Sequence, residues 1–456
     1  MISHWRPAGS VHSRLIKLAV LIGTLPVLAA AADDYRPIVD SDVPALLAVY
    51  KDLHAHPELS QHEERTSALL ADELRKSGYT VTEHIGKYAD GAAALGVVAI
   101  LKNGAGPTVL VRTDMDALPV EEKTGLPYAS LIRTKDDGGA TVGVMHACGH
   151  DLHMACFLGA ARTLASIKNR WHGTLMLIGQ PAEERVGGAR AMLADRLYER
   201  FGRPDYCIAQ HDNPEVAAGQ VAVVAGPVLS SASAVDVTIR GVGGHGARPE
   251  ATKDPIVMAA QFVLALQTIV SRQTAPQDPA VVTVGSIHGG TKRNIIPDQV
   301  KLEISARAFS EEVQQNTLAA IDRIARGIAL AAGIPEDRAP IVRVNEADGV
   351  PVTYNDPALA ERLKNSLRAA LGGENVLDGK RIMASEDFGL FGLEGRQIPA
   401  FMLWLGAAEP DKLKESLRTG KPLPSLHSSL FYPVAEPAIR TGVIALTSSV
   451  VELMGR

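Results

Sequence analysis

The run Met145-His146-Ala147-Cys148-Gly149-His150-Asp151-Leu152-His153 places three imidazoles, one thiol and one carboxylate within nine residues. These are donor types that bind transition metals. Cys148 and His150 are two residues apart, so a helix would aim them to opposite sides, whereas an extended segment or turn aims them together. We therefore interpret the run as a loop, with Gly149 giving backbone freedom and a helix beginning near Asp151 as N-cap. The alternative is a buried cysteine beside surface histidines, because the usual Cys-x-x-Cys and His-x-x-x-His spacings are absent.

The composition is that of an ordinary globular protein. At 456 residues the chain is too long for one ordinary core and suggests two domains. Hydrophobic residues make up 46% and charged residues 21%, which excludes a disordered or fibrous chain. A formal net charge of -5 gives no electrostatic case for nucleic acid as a partner. Three cysteines, Cys148, Cys156 and Cys207, are too few for a disulfide framework.

The N-terminus has the pattern of an export signal. Basic residues precede a 15-residue apolar run from Leu18 to Ala32, which is shorter than the roughly 20 residues of a membrane span. We predict a signal peptide over residues 1–32, cleaved near Ala32, with a retained anchor as the alternative. The mature protein is then periplasmic or secreted, with no membrane association after cleavage.

Hydrophobic periodicity predicts helices and strands that lead to acidic residues. The pattern over 42–78 is helical, with a break at His56-Pro57-Glu58. Two apolar runs, 96–101 and 108–112, predict paired strands. The second run ends in Asp114-Met115-Asp116, whose two carboxylates share one face of an extended chain. They are equally suited to a functional site and to capping a loop.

Two further strands lead to candidate ligands. A buried strand over 174–178 runs into Glu183 and Glu184, which point opposite ways in extended backbone, so that one can bind metal while the other faces a bound water. A solvated acidic turn is the alternative. A strand over 206–210 delivers His211 at its end, where a lone histidine is more often structural.

The region from Ala234 to Asn345 predicts a separate unit. Its order, strand-helix-strand-strand-helix-strand, is that of a ferredoxin-like domain. The predicted strands are 234–240, 281–287, 299–306 and 341–345. The first predicted helix begins at Asp254-Pro255, and the second spans 311–332. We place the first domain at 33–229 and 346–456, with the unit at 230–345 inserted between its two parts.

Seven runs, in this order along the chain, resemble the M20 metallopeptidase and amidohydrolase family. The resemblance is strongest to its aminoacylase branch, which includes hippurate hydrolases and auxin-conjugate hydrolases. The matching runs are Leu53-His54-Ala55-His56-Pro57-Glu58-Leu59-Ser60, Asp114-Met115-Asp116-Ala117-Leu118-Pro119, Met145-His146-Ala147-Cys148-Gly149-His150-Asp151, Gln180-Pro181-Ala182-Glu183-Glu184, Gly243-Gly244-His245-Gly246-Ala247-Arg248-Pro249, Asn294-Ile295-Ile296-Pro297-Asp298 and Ser385-Glu386-Asp387-Phe388.

The resemblance implies an α/β fold and a two-metal centre. The fold is a mixed-sheet catalytic domain with flanking helices and an inserted ferredoxin-like satellite domain that forms a homodimer. The residues that resemble metal ligands are Cys148, His150, Glu184, His211 and His427. A thiolate with imidazoles suits zinc, while manganese, cobalt and nickel stay open.

The resemblance also implies roles around the metals. Glu183 resembles the general base, and Asp116 a carboxylate that supports the ligands. His245 is similar to a histidine that enters the active site of the partner subunit and polarises the scissile carbonyl. Asn294 and Arg307 resemble groups that bind the substrate's carboxylate.

Together these roles predict a metal-dependent amidohydrolase. It would cleave N-acyl amino acids, such as N-acetyl or N-benzoyl compounds, to a carboxylate and a free amino acid, through a metal-activated water with Glu183 as base. The nearest alternative is a dipeptidase or carboxypeptidase of the same fold, and a non-catalytic metal-binding or peptide-binding protein is the alternative from another class.

A few residues near the motifs have no implied catalytic role or depart from the family pattern. We expect His146 and His153 to support the ligands or the fold, and Cys156 and Cys207 to be small core residues. The segment 135–142 is longer than the resemblance leads us to expect. Asp212-Asn213-Pro214 also departs from a more hydrophobic pattern, which bears on substrate preference.

Overall fold

The computed structural model describes residues 35–393 and 396–455, so the predicted signal peptide lies outside the described residues. The helices are α1 (Arg36–Ala55), α2 (Glu64–Lys76), α3 (His150–Ser166), α4 (Gly188–Ala194), α5 (Leu197–Phe201), α6 (Pro255–Thr268), α7 (Glu311–Ala331), α8 (Pro357–Leu371), α9 (Pro410–Thr419) and α10 (Ala435–Met454). The strands are β1 (Thr80–Lys87), β2 (Ala93–Asn103), β3 (Thr108–Asp114), β4 (Arg133–Lys135), β5 (Thr141–Gly143), β6 (Gly173–Gln180), β7 (Tyr206–Ala217), β8 (Val221–Val223), β9 (Gly226–Leu229), β10 (Ser231–Arg240), β11 (Gly244–His245), β12 (Ala280–Gly289), β13 (Ile295–Ile296), β14 (Gln299–Ala308), β15 (Ile341–Val350), β16 (Thr353–Asn355), β17 (Val376–Asp378) and β18 (Ala400–Ala408).

The larger sheet is mixed and has apolar cores on both faces. Its strand order is β1-β2-β6-β3-β7-β18-β8-β17, with β6, β3, β7 and β18 parallel to one another. Helices α1, α3, α8 and α10 contribute the core on one face, and α4 contributes to the core on the other. Strands buried on both faces read as continuous apolar runs, which is why 108–112 and 174–178 were recognisable in the sequence.

The predicted pairing of the two apolar runs 96–101 and 108–112 is wrong. Strand β6 lies between β2 and β3, antiparallel to the first and parallel to the second. Parallel neighbours need a crossover connection, and α3 supplies it between β3 and β6. A short Gly-Pro loop between two apolar runs therefore did not mean that the runs pair.

The ends of two elements also differ from the predictions. Strand β7 does not stop before His211 but continues to Ala217, because it pairs with β18 along that length. Helix α3 begins at His150, with Gly149 as N-cap at φ 73°. Asp151 is therefore inside the first turn, where its Oδ1 accepts from the Leu152 N–H at 2.8 Å.

The second sheet is ferredoxin-like, as expected. Its order is β12-β14-β10-β15, with α6 and α7 packed on one face around a core that includes Phe262 and Ile321. The mixed α/β fold with an inserted ferredoxin-like unit is confirmed, and the residue numbers of the domain boundaries stay a prediction. Arg307, on β14, contacts the main domain through a hydrogen bond from its Nη1 to the Met383 carbonyl at 3.0 Å.

Candidate metal centre and its cavity

The loop before α3 turns Cys148 and His150 into the same space. Gly149 has a left-handed backbone, and a Cβ added to it would lie 2.7 Å from the carboxyl atoms of Asp212. The position therefore requires glycine for both conformation and space. His211 lies on strand β7, and its backbone pairs with Trp404 of the neighbouring strand β18.

Two groups of donors share the sulfur of Cys148. The first is Cys148, His150 and His211, and the second is Cys148, Glu184 and His427, with the donor atoms of each group within 4.8 Å of one another. The Cys148 Sγ is 3.6 Å from the His211 Nε2 and 3.3 Å from the His427 Nε2. The structure thus brings together all five residues that were predicted as ligands.

Backbone carbonyls fix which nitrogen each buried histidine presents. The His150 Nδ1 bonds to the Asp116 carbonyl, and the His211 Nδ1 bonds to the Asp212 carbonyl, both at 2.8 Å. A carbonyl only accepts, so Nδ1 carries the proton in both rings and Nε2 is left as a donor to a cation. The buried His150 Nε2 and Glu184 Oε1 have no hydrogen-bond partner among the described residues. These orphaned atoms, together with the sulfur, fit a divalent cation.

The electrostatics of the cluster point the same way. Burial raises the pKa of the Cys148 thiol well above its ordinary value, and the Glu184 and Glu183 carboxylates add to the shift. Burial also raises the pKa of Glu184 to about 7. Several acids crowded without a compensating charge are costly, whereas bound cations hold sulfur as thiolate and reverse these shifts.

His427 enters the cluster from a strained loop. Its φ is 65°, and its backbone N–H donates to the Ala147 carbonyl at 2.8 Å. A left-handed non-glycine residue is uncommon and persists only where the surroundings fix it. The hydrogen bond to the loop of Cys148 provides that constraint, and it holds the two donors side by side.

Glu183 lies beside the donors on a turn, not on extended backbone as predicted. Its Oε2 is 4.0 Å from the His150 Nε2. Burial raises its pKa well above the ordinary value, and the Glu386 and Glu184 carboxylates raise it further. A carboxyl with a raised pKa in a cleft is suited to accept and return a proton near neutral pH.

A buried arginine that the sequence reasoning missed organises the acids behind Glu183. The guanidinium of Arg112 donates to Asp114 at 2.6 Å and to Glu386 at 2.8 Å, and it lies 3.3 Å from Asp387. One cation among three buried carboxylates compensates part of their mutual repulsion. Two signals were available: a charge inside the apolar strand β3, and the acidic pair of the Ser385-Glu386-Asp387-Phe388 run.

The donors open onto a cavity of about 540 Å³. Arg307 reaches its wall from the inserted domain, where its Nη1 also lies 3.3 Å from the Ser385 Oγ. The apolar part of the lining consists of Val186, Pro214, Leu229, Ile382, Ala384, Trp404 and Leu426. A small molecule in this cavity would contact the guanidinium of Arg307, the apolar side chains and the candidate metal donors.

The other two predicted site residues lie elsewhere in the same chain. His245 and Asn294 are exposed on the inserted domain and do not line this cavity. They are close to each other, because β11 pairs with β13 and the Gly246 N–H donates to the Asn294 carbonyl at 2.8 Å. Both residues keep their predicted roles only if a second subunit brings them to the cavity.

Four residues near the motifs for which no catalytic role was predicted are all buried: His146, His153, Cys156 and Cys207. The His153 Nδ1 bonds to Asp114 at 2.7 Å, and its Nε2 accepts from the Asp212 N–H at 2.9 Å. Both ring nitrogens are therefore occupied by hydrogen bonds within the protein. Burial lowers the pKa of His146 to about 4. Cys156 and Cys207 are core residues as expected, with burial raising the pKa of each thiol to about 12.

The segment 135–142, which is longer than the family resemblance leads us to expect, forms part of a hairpin made of β4 and β5. Its base packs through Val142 onto the small cluster of Leu59, Ala117 and Val144. At its tip Asp137 pairs with Arg185 at 2.7 Å, and Arg185 directly follows Glu184. The added residues therefore contact the turn that carries the acidic pair.

The fold and the donor set define a class of proteins, the metal-binding α/β hydrolases with an inserted ferredoxin-like domain. Within that class, the model of peptidase family M20/M25/M40 matches residues 110–416. The chain belongs to this family. It is an enzyme, a metal-dependent hydrolase of the amidohydrolase and metallopeptidase type.

Individual relatives give the range of activities in the family. The chain is 39% identical to a hippurate hydrolase of Campylobacter jejuni over 341 residues, 74% of this chain and 82% of the relative. It is 35% identical to an N-acetyl-L-cysteine deacetylase of Bacillus subtilis, over 76% of this chain and 77% of the relative. It is 33% identical to thermostable carboxypeptidase 1 of Saccharolobus solfataricus, over 91% and 95%. The structure of the YXEP protein of Bacillus subtilis, a dinuclear metal-binding peptidase of the M20 family, superimposes with a TM-score of 0.71 at 27% identity, over 91% of this chain and all of that one.

Proposed function

We propose that the protein hydrolyses the amide bond of N-acyl amino acids, releasing a carboxylate and a free amino acid. The observation that carries the proposal is the sulfur of Cys148 shared by two donor groups, with Glu183 beside them and Arg307 across the same cavity. Similarity to a hippurate hydrolase and to an N-acetyl-L-cysteine deacetylase supports an acylated amino acid as substrate.

In the proposed centre each donor group would hold one divalent cation. The first group consists of Cys148, His150 and His211, and the second of Cys148, Glu184 and His427. When bound, such cations polarise an amide carbonyl and lower the pKa of a water. Zinc fits a thiolate with imidazoles best, with manganese, cobalt and nickel as alternatives.

The protein's own groups then move the proton and hold the substrate. Glu183 takes a proton from the attacking water and returns it to the nitrogen of the leaving amine as the C–N bond breaks. Arg307 binds the amino acid's carboxylate through hydrogen bonds from its guanidinium. The acyl group packs against the apolar wall that contains Leu229 and Trp404. His245 of a partner subunit stabilises the developing oxyanion, and Asn294 assists at the carboxylate.

Dimerisation through the inserted domain is part of the proposal. Only 33% of the apolar helical segment Pro255–Gln273 is buried within the chain, and its Val257 and Leu264 are 54% and 73% exposed. An apolar face of this kind is the usual mark of an interface. A homodimer would cover it and bring His245 and Asn294 to a neighbouring cavity.

A carboxypeptidase or dipeptidase is the second candidate. Similarity to thermostable carboxypeptidase 1 over 91% of the chain favours it, since a carboxylate clamp at Arg307 also suits a peptide C-terminus. The cavity lining also contains the acidic residues Asp212 and Glu215, so the pocket is not entirely apolar.

We further propose that the protein is exported, because residues 1–32 have the pattern of a signal peptide. N-terminal sequencing of the protein from a periplasmic fraction should begin near Asp33. A mature protein that retains Met1 there would contradict export by a cleaved signal.

The test of the proposed function is metal analysis combined with a substrate panel on one purified sample. We expect two equivalents of metal per chain and preferential hydrolysis of N-acetyl and N-benzoyl amino acids over dipeptides. Faster hydrolysis of dipeptides would favour the second candidate. A fully loaded protein that cleaves neither class would refute both.

A further inference from the structure

A buried carboxylate outside the donor set holds the turn on which Glu183 and Glu184 lie. Glu63 has no exposed surface, and its Oε1 accepts from the Ala182 N–H at 2.8 Å. The next two N–H groups, of Glu183 and Glu184, donate to the carboxylate of Asp116 at 3.1 and 3.0 Å. Three successive amides of the turn are thus bound by two acids from other parts of the chain.

The turn needs such restraint because its backbone is strained at both ends. Ala182 has φ 48° and Val186 has φ 52°, and a left-handed conformation is unfavourable for alanine and more so for a β-branched valine. Strained residues persist at functional sites where the surroundings over-determine them. The first strained residue, Ala182, is the one whose N–H donates to the Glu63 carboxylate.

The side chain of Glu63 is not needed by its own helix. Glu63 is the N-cap of α2 but makes no side-chain cap hydrogen bond there. Glu58 does that work instead, accepting from the Arg65 N–H at 3.0 Å and the Thr66 N–H at 2.7 Å. The Glu63 Oε1 also accepts from the Gln61 N–H at 2.9 Å, so one oxygen joins the start of α2 to the acidic turn. The 119 residues between Glu63 and Ala182 exclude a local turn contact.

We propose that Glu63 is a positioning residue: it fixes the left-handed conformation of Ala182 and thereby aims Glu183 and Glu184 at the cavity. This inference rests on the proposed function, in which Glu183 is the base and Glu184 a ligand. Burial and the neighbouring Asp116 carboxylate raise the pKa of Glu63 to about 8, so that an uncharged acceptor is a faithful replacement for it.

Two substitutions separate the acceptor from the charge. Glu63→Gln keeps an oxygen within reach of the Ala182 N–H, whereas Glu63→Asp withdraws it by one methylene while keeping an acid. We expect Glu63→Gln to behave as wild type. Glu63→Asp should lose about 10- to 100-fold in kcat with KM nearly unchanged, because the base is misplaced while the substrate contacts are intact. Glu64→Asp, the same change at the exposed neighbour, is the matched control and should leave kcat unaltered.

A second readout does not depend on turnover. The visible spectrum of the cobalt(II)-loaded protein reports the thiolate and the ligand geometry, and a titration gives the cobalt affinity. Glu63→Asp should change the spectrum and weaken cobalt binding by about tenfold, the scale seen when a group supporting a metal ligand is lost. Adding Ala182→Gly to Glu63→Asp should restore part of kcat, because glycine adopts the left-handed conformation without the restraint.

The controls distinguish this inference from the proposed function. Wild-type protein that shows no thiolate band with cobalt and cleaves no N-acyl amino acid refutes the function itself. Wild-type function with a Glu63→Asp protein that matches it overturns only the positioning role. Equal impairment of Glu63→Gln and Glu63→Asp also overturns it, as does a Glu63→Asp protein that does not fold, since Glu63 would then maintain the whole fold.

Discussion

At the scale of single residues, the two buried histidines of the donor set each have one ring nitrogen held by the backbone and the other turned towards the donors. The Nδ1 atoms of His150 and His211 are fixed by backbone carbonyls, which leaves their Nε2 atoms for cations. Glu183 is surrounded by other carboxylates but is bound by none of the imidazoles at hydrogen-bond distance. Replacing Glu183 should therefore leave the histidine donors undisturbed.

Glu183→Ala should abolish nearly all turnover without emptying the metal site. The change removes the proton acceptor, a contribution of about 10²- to 10⁴-fold in general-base catalysis, and leaves the five donors in place. The measurement is kcat on an N-acyl amino acid beside metal content by elemental analysis. Activity close to wild type in a metal-loaded Glu183→Ala protein would exclude Glu183 as the base.

The buried His54 predicts a pH dependence of stability. Burial alone would lower its pKa, but its hydrogen bonds to Asp151 at 2.6 Å and Glu122 at 3.1 Å raise the pKa to about 10. Because the folded pKa exceeds the ordinary value, protonated His54 stabilises the fold fully below about pH 6.5, and this contribution is lost as the pH rises through about 10.

His54→Gln should therefore be less stable than wild type by about 3 kcal/mol near pH 6.5, since it leaves two buried carboxylates without their cation. The difference in free energy of unfolding, measured by urea denaturation of the metal-loaded proteins, should shrink towards pH 10. A difference that is constant over this range would mean that His54 is not protonated in the folded protein.

At the scale of elements, the sequence predicted which segments are helices and strands better than it predicted which strands pair. The inserted ferredoxin-like unit was recognisable because its strands alternate buried and exposed residues and Asp254-Pro255 marks the start of α6. The place of β6 was not, because two continuous apolar runs carry no signal of which strand lies between them. Nor did the sequence indicate that Glu183 lies on a left-handed turn, since Ala182 is not a residue that favours one.

The hairpin of β4 and β5 leads to a prediction about local mobility. Its tip is held to the acidic turn by the exposed pair Asp137 and Arg185, and exposed pairs contribute little to global stability. Asp137→Asn should leave Tm unchanged but speed trypsin cleavage at the exposed Lys135, because local opening does not require unfolding. Unchanged cleavage would show that the packing of Val142 at the base of the hairpin suffices to hold it.

At the scale of the whole molecule, a single chain has the donors, the base and Arg307 but not His245 or Asn294 at the cavity. The five residues that the family resemblance implied as ligands lie together in the fold, and their role as ligands stays a prediction. The sequence could not place residues that depend on a second subunit. Mixing experiments address that gap.

Subunits carrying Glu183→Ala mixed with subunits carrying His245→Ala should recover activity. In such a heterodimer one cavity has both lesions and the other has neither, so about half of the wild-type kcat is expected. Each variant alone is the control. The shared site is contradicted if proven heterodimers stay as inactive as either parent.

The position of Cys148 in both donor groups makes the centre vulnerable at one atom. A single oxidising hit on that sulfur would remove a bond from each cation at once, and inactivation by peroxide should follow one equivalent per subunit. Bound cations and substrate would protect the sulfur from oxidation, and this protection matters most if the protein is exported as proposed.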